Sequence, residues 1–199
     1  MKTHILLYVE GDTEEVLFPA IIKYYKQTFA CDNVEFHIEN LKGVGKYSSR
    51  KAKGILLQLM QKIKKNGDTL KVVLCSYDTD VFEFNSNPPI NWGKLKKEFE
   101  DITGKKNITL IPIKSSIEDW LLSDIDGLCK YLRIKKKPKR LSGNNGFDKI
   151  SHWFKQHGKV YYKGYDSKVI IKHIDIAKIT SMHSAELEPI RKALGIAQQ

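Results

Sequence analysis

Short apolar runs alternate with segments of helical periodicity over the first two thirds of the chain. Runs of four to eight apolar residues predict buried strands, and apolar residues spaced three and four apart predict helices. Strands alternating with helices favour a parallel sheet flanked by helices. The strands are predicted at residues 4–9, 34–38, 70–77 and 108–113, and the helices at 12–24, 55–63, 92–102, 115–122 and 124–132.

The strand patterns differ from one another. Residues 34–38 alternate apolar and polar side chains, which predicts an edge strand, whereas residues 70–77 are nearly continuously apolar and predict a strand covered on both faces. Asp12 is a candidate cap for the first helix, with Glu15 three positions on, and Pro19 predicts a kink or a tighter first turn. A polar connection is predicted over residues 85–91.

The character of the chain changes after Leu132. A basic loop rich in glycine and asparagine covers residues 133–146, and helical patterns return at residues 147–156, 166–179 and 184–194. The sequence therefore predicts an α/β core at residues 1–132 and, at residues 133–199, a basic loop with a helical extension packed on that core.

Composition narrows the class of protein. Of the 199 residues, 41% are hydrophobic and 29% charged, and no apolar run approaches the ~20 residues that a membrane span needs. The apolar run after Met1 is too short for a secretory signal, so a cytoplasmic protein without membrane association is predicted. Cys31, Cys75 and Cys129 are widely spaced, which favours ordinary thiols over zinc or disulfide roles.

Positive charge is concentrated in two stretches. Eight basic residues and no acid lie in residues 42–65, and twelve Lys or Arg lie in residues 133–173, in a chain of net charge +11. This clustering indicates a nucleic-acid partner, although a solvated lysine-rich surface would look the same. A glycine loop at residues 41–50 lacks the Walker pattern but is a candidate phosphate contact. The predicted phosphate-binding residues are Lys42, Lys46, Arg50, Lys51, Lys135, Lys136, Lys137, Lys139 and Arg140.

Acidic residues follow two of the predicted strands. Glu10 follows the first strand, and Asp78 and Asp80 follow the third. Because Asp78 and Asp80 are two positions apart, their side chains would point to the same side of an extended backbone. Glu14 lies in the next helical turn after Gly11. Because the carboxyl ends of parallel strands share one edge of a sheet, these side chains are expected to converge. Oxygen ligands without nearby His or Cys favour Mg²⁺ or Mn²⁺.

These motifs resemble those of a known domain. Val9-Glu10-Gly11-x-x-Glu14 followed by Asp78-x-Asp80 is similar to the Toprim domain of topoisomerases, bacterial primases and nucleases of the overcoming-lysogenization-defect family. The segment Ile117-Glu118-Asp119-Trp120-Leu121-Leu122 resembles the Glu-x-Trp-Leu-Leu segment of small stand-alone, RloB-like Toprim proteins of restriction and phage-defence loci. The resemblance covers residues 5–124 and implies a Rossmann-like, mostly parallel four-stranded sheet.

The resemblance also implies roles for individual residues. Glu10 would be a general acid/base or metal ligand, Asp78 and Asp80 would be metal ligands, and Glu14 would help to hold a second ion. Glu118 is a candidate site residue and also a candidate helix-capping residue paired with Ser115, and the two roles do not exclude each other. The nuclease branch commonly uses a lysine near the scissile phosphate, for which Lys163 and Lys168 are candidates. His152, His157, His173 and His183 show no metal-ligand spacing.

The implied activity is Mg²⁺- or Mn²⁺-dependent hydrolysis of DNA or RNA, tRNA included, in phage defence. A lone domain lacks the further domains that a topoisomerase or primase needs. The alternatives are a non-catalytic Toprim-like nucleic-acid-binding or sensor subunit of a defence complex, and a basic regulatory protein with incidental acids. The partners considered besides nucleic acid are a partner ATPase or other defence-system subunit and a second copy of the chain in a homodimer.

Overall fold

The computed structural model describes residues 1–31, 33–83 and 89–197, except for the side chains of residues 81 and 83. Most of the polar connection predicted over residues 85–91 lies outside these ranges. None of the helices in the described ranges is both long and apolar enough to cross a membrane.

A four-stranded, all-parallel sheet forms the centre of the molecule, in the order β2-β1-β3-β4. β1 is apolar on both faces and fully buried from Ile5 to Val9, as its continuous apolar run predicts. β2 is half-buried throughout and lies at the edge, so the edge-strand prediction is confirmed. The strands are β1 Thr3–Val9, β2 Val34–Asn40, β3 Thr69–Asp78 and β4 Ile108–Ile113.

Helices cover both faces of the sheet. The helices are α1 Asp12–Phe29, α2 Arg50–Asn66, α3 Asp80–Glu83, α4 Trp92–Thr103, α5 Ile117–Leu122, α6 Ile125–Leu132, α7 Gly146–Gln156, α8 Tyr165–Ile170, α9 Ile176–Met182 and α10 Glu188–Leu194, with a 3-10 helix at Val44–Ser48. The predicted α/β fold class, a parallel four-stranded sheet with helices on both faces and further helices after residue 132, is confirmed.

Each face of the sheet has its own core. Leu6 and Tyr8 of β1 pack with the 3-10 helix, α2 and α4, whereas Leu7 and Val9 pack with α1 and α5–α10. The helices after residue 132 therefore share a hydrophobic core with β1 and α1.

Two helix predictions in the C-terminal part are corrected. The pattern over residues 166–179 is divided between α8 and α9, because Asp175 begins a new helix by accepting a hydrogen bond from the backbone N–H of Lys178. The last helix begins at Glu188 rather than at Ser184, with Pro189 in its first turn.

Candidate active site

Glu10 lies directly after β1, where the backbone is fixed by the glycine loop. The backbone N–H of Leu41 donates to the backbone carbonyl of Val9 at 3.0 Å. The backbone N–H of Gly43 donates to the backbone carbonyl of Glu10 at 2.8 Å. The backbone N–H of Asp78 donates to Glu10 Oε2 at 3.2 Å. The ends of β1 and β3 are thus joined through the side chain of Glu10.

Glu14 lies in the first turn of α1 and is only 3% exposed. A Cβ on Gly11 would lie 2.9 Å from Glu14 Oε2, so glycine at this position leaves room for the carboxylate. The prediction that Asp12 caps α1 was wrong: Gly11 occupies the N-cap in extended conformation, and Asp12 is already helical. Asp12 pairs with Lys42, and Glu15 accepts a hydrogen bond from Asn40 at 2.8 Å.

Asp78 is the last residue of β3 and is largely buried. Its Oδ1 accepts a hydrogen bond from the backbone N–H of Ile117 at 2.9 Å, which holds the N-terminus of α5 against β3. The expectation that Asp78 and Asp80 share an extended backbone was wrong, because Asp80 begins the helical turn α3. Asp80 still acts on this site, since its charge raises the pKa of Glu10.

Glu118 brings a further carboxylate to the site from α5 and is fully buried. Its Oε1 accepts a hydrogen bond from the hydroxyl of Thr13 at 3.0 Å, and its Oε2 lies 3.1 Å from Lys163 Nζ. The capping interpretation was wrong, because Ser116 is the N-cap of α5 and no side chain caps it. Glu118 faces Thr13 and Lys163 instead.

Lys163 lies on the segment before α8 and is the lysine that faces the acids. Its side chain is 48% exposed, and its charge opposes the rise in the pKa values of Glu10, Glu14 and Asp78. Gly164 adopts a φ of +75°, and a Cβ there would collide with Asp12. This close approach positions the segment against the first turn of α1.

Three buried hydroxyl groups support Glu118 and were not predicted. Thr13 Oγ1 lies 3.2 Å from Ser167 Oγ, which lies 3.2 Å from the hydroxyl of Tyr161. Thr13 occupies a variable position of the Glu-Gly-x-x-Glu motif, and Tyr161 and Ser167 lie 151 and 157 positions beyond Glu10, so no spacing pattern indicates them. The signal that the sequence offers is the position of Tyr161 and Ser167 on either side of the candidate Lys163.

The electrostatics of the site favour protonation of its buried acids. Burial, strengthened by the charges of Glu14, Glu118 and Glu10, raises the pKa of Asp78 to about 9. Burial, strengthened by Glu118 and Glu10, raises the pKa of Glu14 to about 7. Burial also raises the pKa of Glu10, against the hydrogen bonds that its carboxylate accepts from backbone N–H groups. The site therefore holds more negative charge than Lys163 balances.

The structure brings together Glu10, Glu14, Asp78, Glu118 and Lys163 by contact or charge, and Asp80 acts on Glu10 through its charge. Among the described residues, however, the group whose candidate ligand atoms all lie within 4.8 Å of one another is His4, Glu35 and His37, and it lies elsewhere. The carboxylates of the acidic site would have to rotate closer together to share an ion.

Two of the predicted phosphate-binding residues form ion pairs. Lys42 pairs with Asp12, and Lys137 lies 2.6 Å from Asp126. The remaining residues are exposed, on the 3-10 helix, at the start of α2 and in the loop after α6, and they are Lys46, Arg50, Lys51, Lys135, Lys136, Lys139 and Arg140.

His152, His157 and His183 contact groups outside the acidic site. His183 stacks on Trp120 with ring centroids 4.8 Å apart, and its Nε2 lies 2.7 Å from Ser123 Oγ. His152 and His157 face backbone carbonyls of their own helix. The three cysteines are free thiols.

Comparisons with known proteins give a family and two distant structural likenesses. The C-terminal region of the Xanthomonas campestris pv. campestris OLD protein shares 12% identity, with 96% of each chain covered and a TM-score of 0.40. The C-terminal region of the Burkholderia pseudomallei OLD protein shares 14% identity, with 96% of this chain and 98% of that chain covered and a TM-score of 0.41. Values this low support no conclusion about chemistry.

No curated protein matches the chain. A family model described as "Domain of unknown function (DUF4276)" matches residues 9–187, which include all of the acidic site. The chain belongs to the DUF4276 family.

Proposed function

We propose that the protein is a divalent-metal-dependent nuclease of the Toprim type. The observation that carries this proposal is the meeting of Glu10, Glu14, Asp78 and Glu118 with Lys163 at the carboxyl edge of a parallel sheet. Ligands of open α/β sheets bind at this edge. The sequence motifs that resemble Toprim proteins supply the four acids of this group.

The donor set fits Mg²⁺ or Mn²⁺. Glu10, Glu14, Asp78 and Asp80 offer carboxylate oxygens, the ligands that these ions prefer. Glu10, Glu14, Asp78 and Glu118 lie around one lysine. A divalent cation would therefore offset the negative charge that, together with burial, raises the pKa values of Asp78 and Glu14. When bound, the metal would acidify the attacking water and stabilise the leaving oxygen.

Glu10 is the residue of this set best suited to proton transfer. It is half-buried, whereas Glu14 and Asp78 are buried, so water can reach it. Its raised pKa moves its protonation equilibrium towards neutral pH, where a general base or acid works best.

Lys163 would pair with a phosphate oxygen of the substrate. Its Nζ is held by Glu118 at 3.1 Å, and Glu118 is itself fixed by Thr13. The lysine side chain is partly exposed while its partner is fully buried, so the pair lies between the protein interior and the solvent. A positioned cation of this kind stabilises the charge that develops during phosphoryl transfer.

DNA or RNA is the substrate class that the charge supports. Lys46, Arg50 and Lys51 would contact backbone phosphates, helped by the N-terminus of α2. The exposed basic residues of the loop after α6 would add to this contact, giving affinity that falls with salt and little base preference. The resemblance to stand-alone Toprim proteins supports a role in phage defence, with a partner ATPase or another defence subunit.

A second candidate is a non-catalytic nucleic-acid-binding or sensor subunit. It is favoured by the contacts that already occupy the acids. Asp78 accepts a hydrogen bond from the N-terminus of α5, and Glu118 accepts one from Thr13 and forms an ion pair with Lys163. In that case the acids would stabilise the fold, and the basic surface would bind nucleic acid without hydrolysis.

The test is a cleavage assay on plasmid, single-stranded DNA and total tRNA with Mg²⁺, Mn²⁺ or EDTA. Glu10→Gln and Asp78→Asn are expected to lose activity by about two orders of magnitude or more, since each removes a proposed ligand or proton-transfer group. Glu15→Gln is the matched control, because this exposed acid lies one residue from Glu14 and contacts Asn40.

Cleavage that persists in EDTA, or a fully active Glu10→Gln variant, would overturn the nuclease proposal. Salt-dependent binding of intact substrates by the parent and by both variants, under all metal conditions, would support the binding subunit instead.

A further inference from the structure

A second group of candidate ligands lies at the opposite end of the sheet from the acids. His4 of β1 and Glu35 and His37 of β2 project from the face that α2 covers, and one ligand atom from each lies within 4.8 Å of the others. His4 and Glu10 lie six positions apart along the chain, which corresponds to about 20 Å of strand. This cluster is therefore independent of the proposed nuclease site.

The spacing of the ligand atoms suits a small cation. His4 Nδ1 lies 2.9 Å from His37 Nε2, and His37 Nε2 lies 3.8 Å from Glu35 Oε1. Ligands of a tetrahedral Zn²⁺ ion at about 2.1 Å stand roughly 3.4 Å apart. The two observed separations bracket this distance, so small rotations of the half-buried side chains of Glu35 and His37 would complete the geometry.

His4 is held in the orientation that a metal ligand needs. It is 2% exposed, and its Nε2 lies 3.2 Å from Asp68 Oδ2. Asp68 is fixed in turn by the backbone N–H of Lys2 at 2.7 Å. With the proton of His4 on Nε2, the lone pair of Nδ1 faces His37. Metal-binding histidines characteristically donate their second N–H to a carboxylate in this way.

His37 and Glu35 are also available as ligands. Burial lowers the pKa of His37, which keeps its imidazole neutral at neutral pH. Lys62 contributes to this effect, against the carboxylate of Glu35. Lys2 Nζ approaches Glu35 Oε2 at 3.5 Å, which leaves Oε1 directed towards His37.

We propose that His4, His37 and Glu35 bind one divalent transition-metal ion of the Zn²⁺ type, with Asp68 orienting His4. Two imidazole nitrogens and one carboxylate oxygen select such an ion over Mg²⁺, and water would complete the coordination. In the tautomer described above, the proton between the two imidazoles is on His37 Nε2, and on metal binding it would move to Nδ1 of the same ring. Because the ligands come from β1 and β2, the ion would secure the edge strand to the centre of the sheet.

The test is a Zn²⁺ titration of the full chain, stripped of metal, by calorimetry, with Co²⁺ absorption as a spectroscopic probe and Tm as a second readout. In excess Mg²⁺, which would occupy the acidic site, one equivalent of Zn²⁺ is expected to bind and to raise Tm. His37→Gln should abolish binding, and Asp68→Asn should weaken it about 10- to 100-fold, as loss of an orienting carboxylate does.

Two matched controls separate this site from other acids and histidines. Glu10→Gln should bind Zn²⁺ like the parent, since it alters only the acidic site, and His152→Gln, at an exposed histidine, should also bind normally. If His4→Gln fails to fold, His37→Gln and Glu35→Gln still test the site, because both side chains reach the surface. Absence of Zn²⁺ binding by the parent, or parent-like binding by His37→Gln, would overturn the proposal.

Discussion

The ion pair formed by Lys163 and Glu118 contributes to the stability of the protein and also to its proposed chemistry. Glu118 is fully buried, and Lys163 Nζ is the cation within 3.1 Å of it. Removing the lysine would leave a buried carboxylate whose remaining described partner is the hydroxyl of Thr13. A buried charge that loses its partner destabilises the folded state.

Lys163→Met is expected to lower the free energy of unfolding by about 1–3 kcal/mol, the usual cost of leaving a buried polar group unsatisfied. Adding Glu118→Gln should recover most of that stability without restoring cleavage, because the phosphate-facing charge is still absent. Loss of cleavage by roughly 10²- to 10³-fold is expected for both variants. Denaturant unfolding and the cleavage assay measure the two effects separately.

Lys168→Met is the control, since Lys168 is exposed and acts on Asp12 rather than on Glu118. It should match the parent in both measurements. A double variant as active as the parent would show that Lys163 has only a structural role.

How much of the site the sequence predicts depends on where each residue lies. Glu10, Glu14 and Asp78 follow strands, so a parallel sheet brings their positions together and the motif reveals them. Thr13 and Ser167 are in contact only because α8 and the segment before it fold back over α1. No local pattern encodes that contact, because it depends on Gly164 at positive φ lying against Asp12.

At the scale of elements, the central strands were predictable and the later helices less so. β1 and β3 are covered on both faces, and their continuous apolar runs reveal this directly. The break between α8 and α9 depends on Asp124, whose Oδ2 accepts the N–H of Asp175 at 2.8 Å. This contact spans 51 residues, so the periodicity over 166–179 could not reveal it.

The carboxyl end of β3 also predicts how stability changes with pH. The pKa of Asp78 is about 9 and that of Glu14 about 7 in the folded protein, against about 3.9 and 4.3 in an unfolded chain. Between these values the folded state keeps protons that the unfolded state has released. The contribution of these two acids to the stability of the metal-free protein is therefore present at acid pH and is lost as pH rises from about 4 towards 9.

Thermal unfolding in EDTA should show a falling Tm between pH 5 and 8, by roughly 2–4 °C for each kcal/mol lost. Asp78→Asn should flatten this dependence and raise Tm at pH 8, since the amide is neutral in both states. Added Mg²⁺ should raise the Tm of the parent more at pH 8 than at pH 5, because a cation competes with protons for the same carboxylates. A Tm that falls equally steeply in Asp78→Asn would contradict the assignment.

At the scale of the whole molecule, the two faces of the sheet are covered by different parts of the chain. The 3-10 helix, α2 and α4 cover one face, and all of these precede residue 132. The other face is covered by α1 together with α5–α10, so half of its helical layer comes from the C-terminal third. The same third supplies Lys163, Tyr161 and Ser167 to the acidic site. Folding and site assembly should therefore depend on the same helices.

A chain ending at Leu132 is expected to lose cooperative folding. Without α7–α10, apolar side chains of β1, α1 and α5 would face water, and exposed apolar surface of this kind favours aggregation or a loosely packed state. Circular dichroism with thermal unfolding should show no cooperative transition, and the fragment should bind a hydrophobic dye.

The matched control is the full chain with Lys135, Lys136, Lys139 and Arg140 changed to Ser, which alters the same region without touching the core and should unfold like the parent. A fragment that unfolds cooperatively would show instead that residues 1–132 form an independent unit and that the later helices serve only to complete the site.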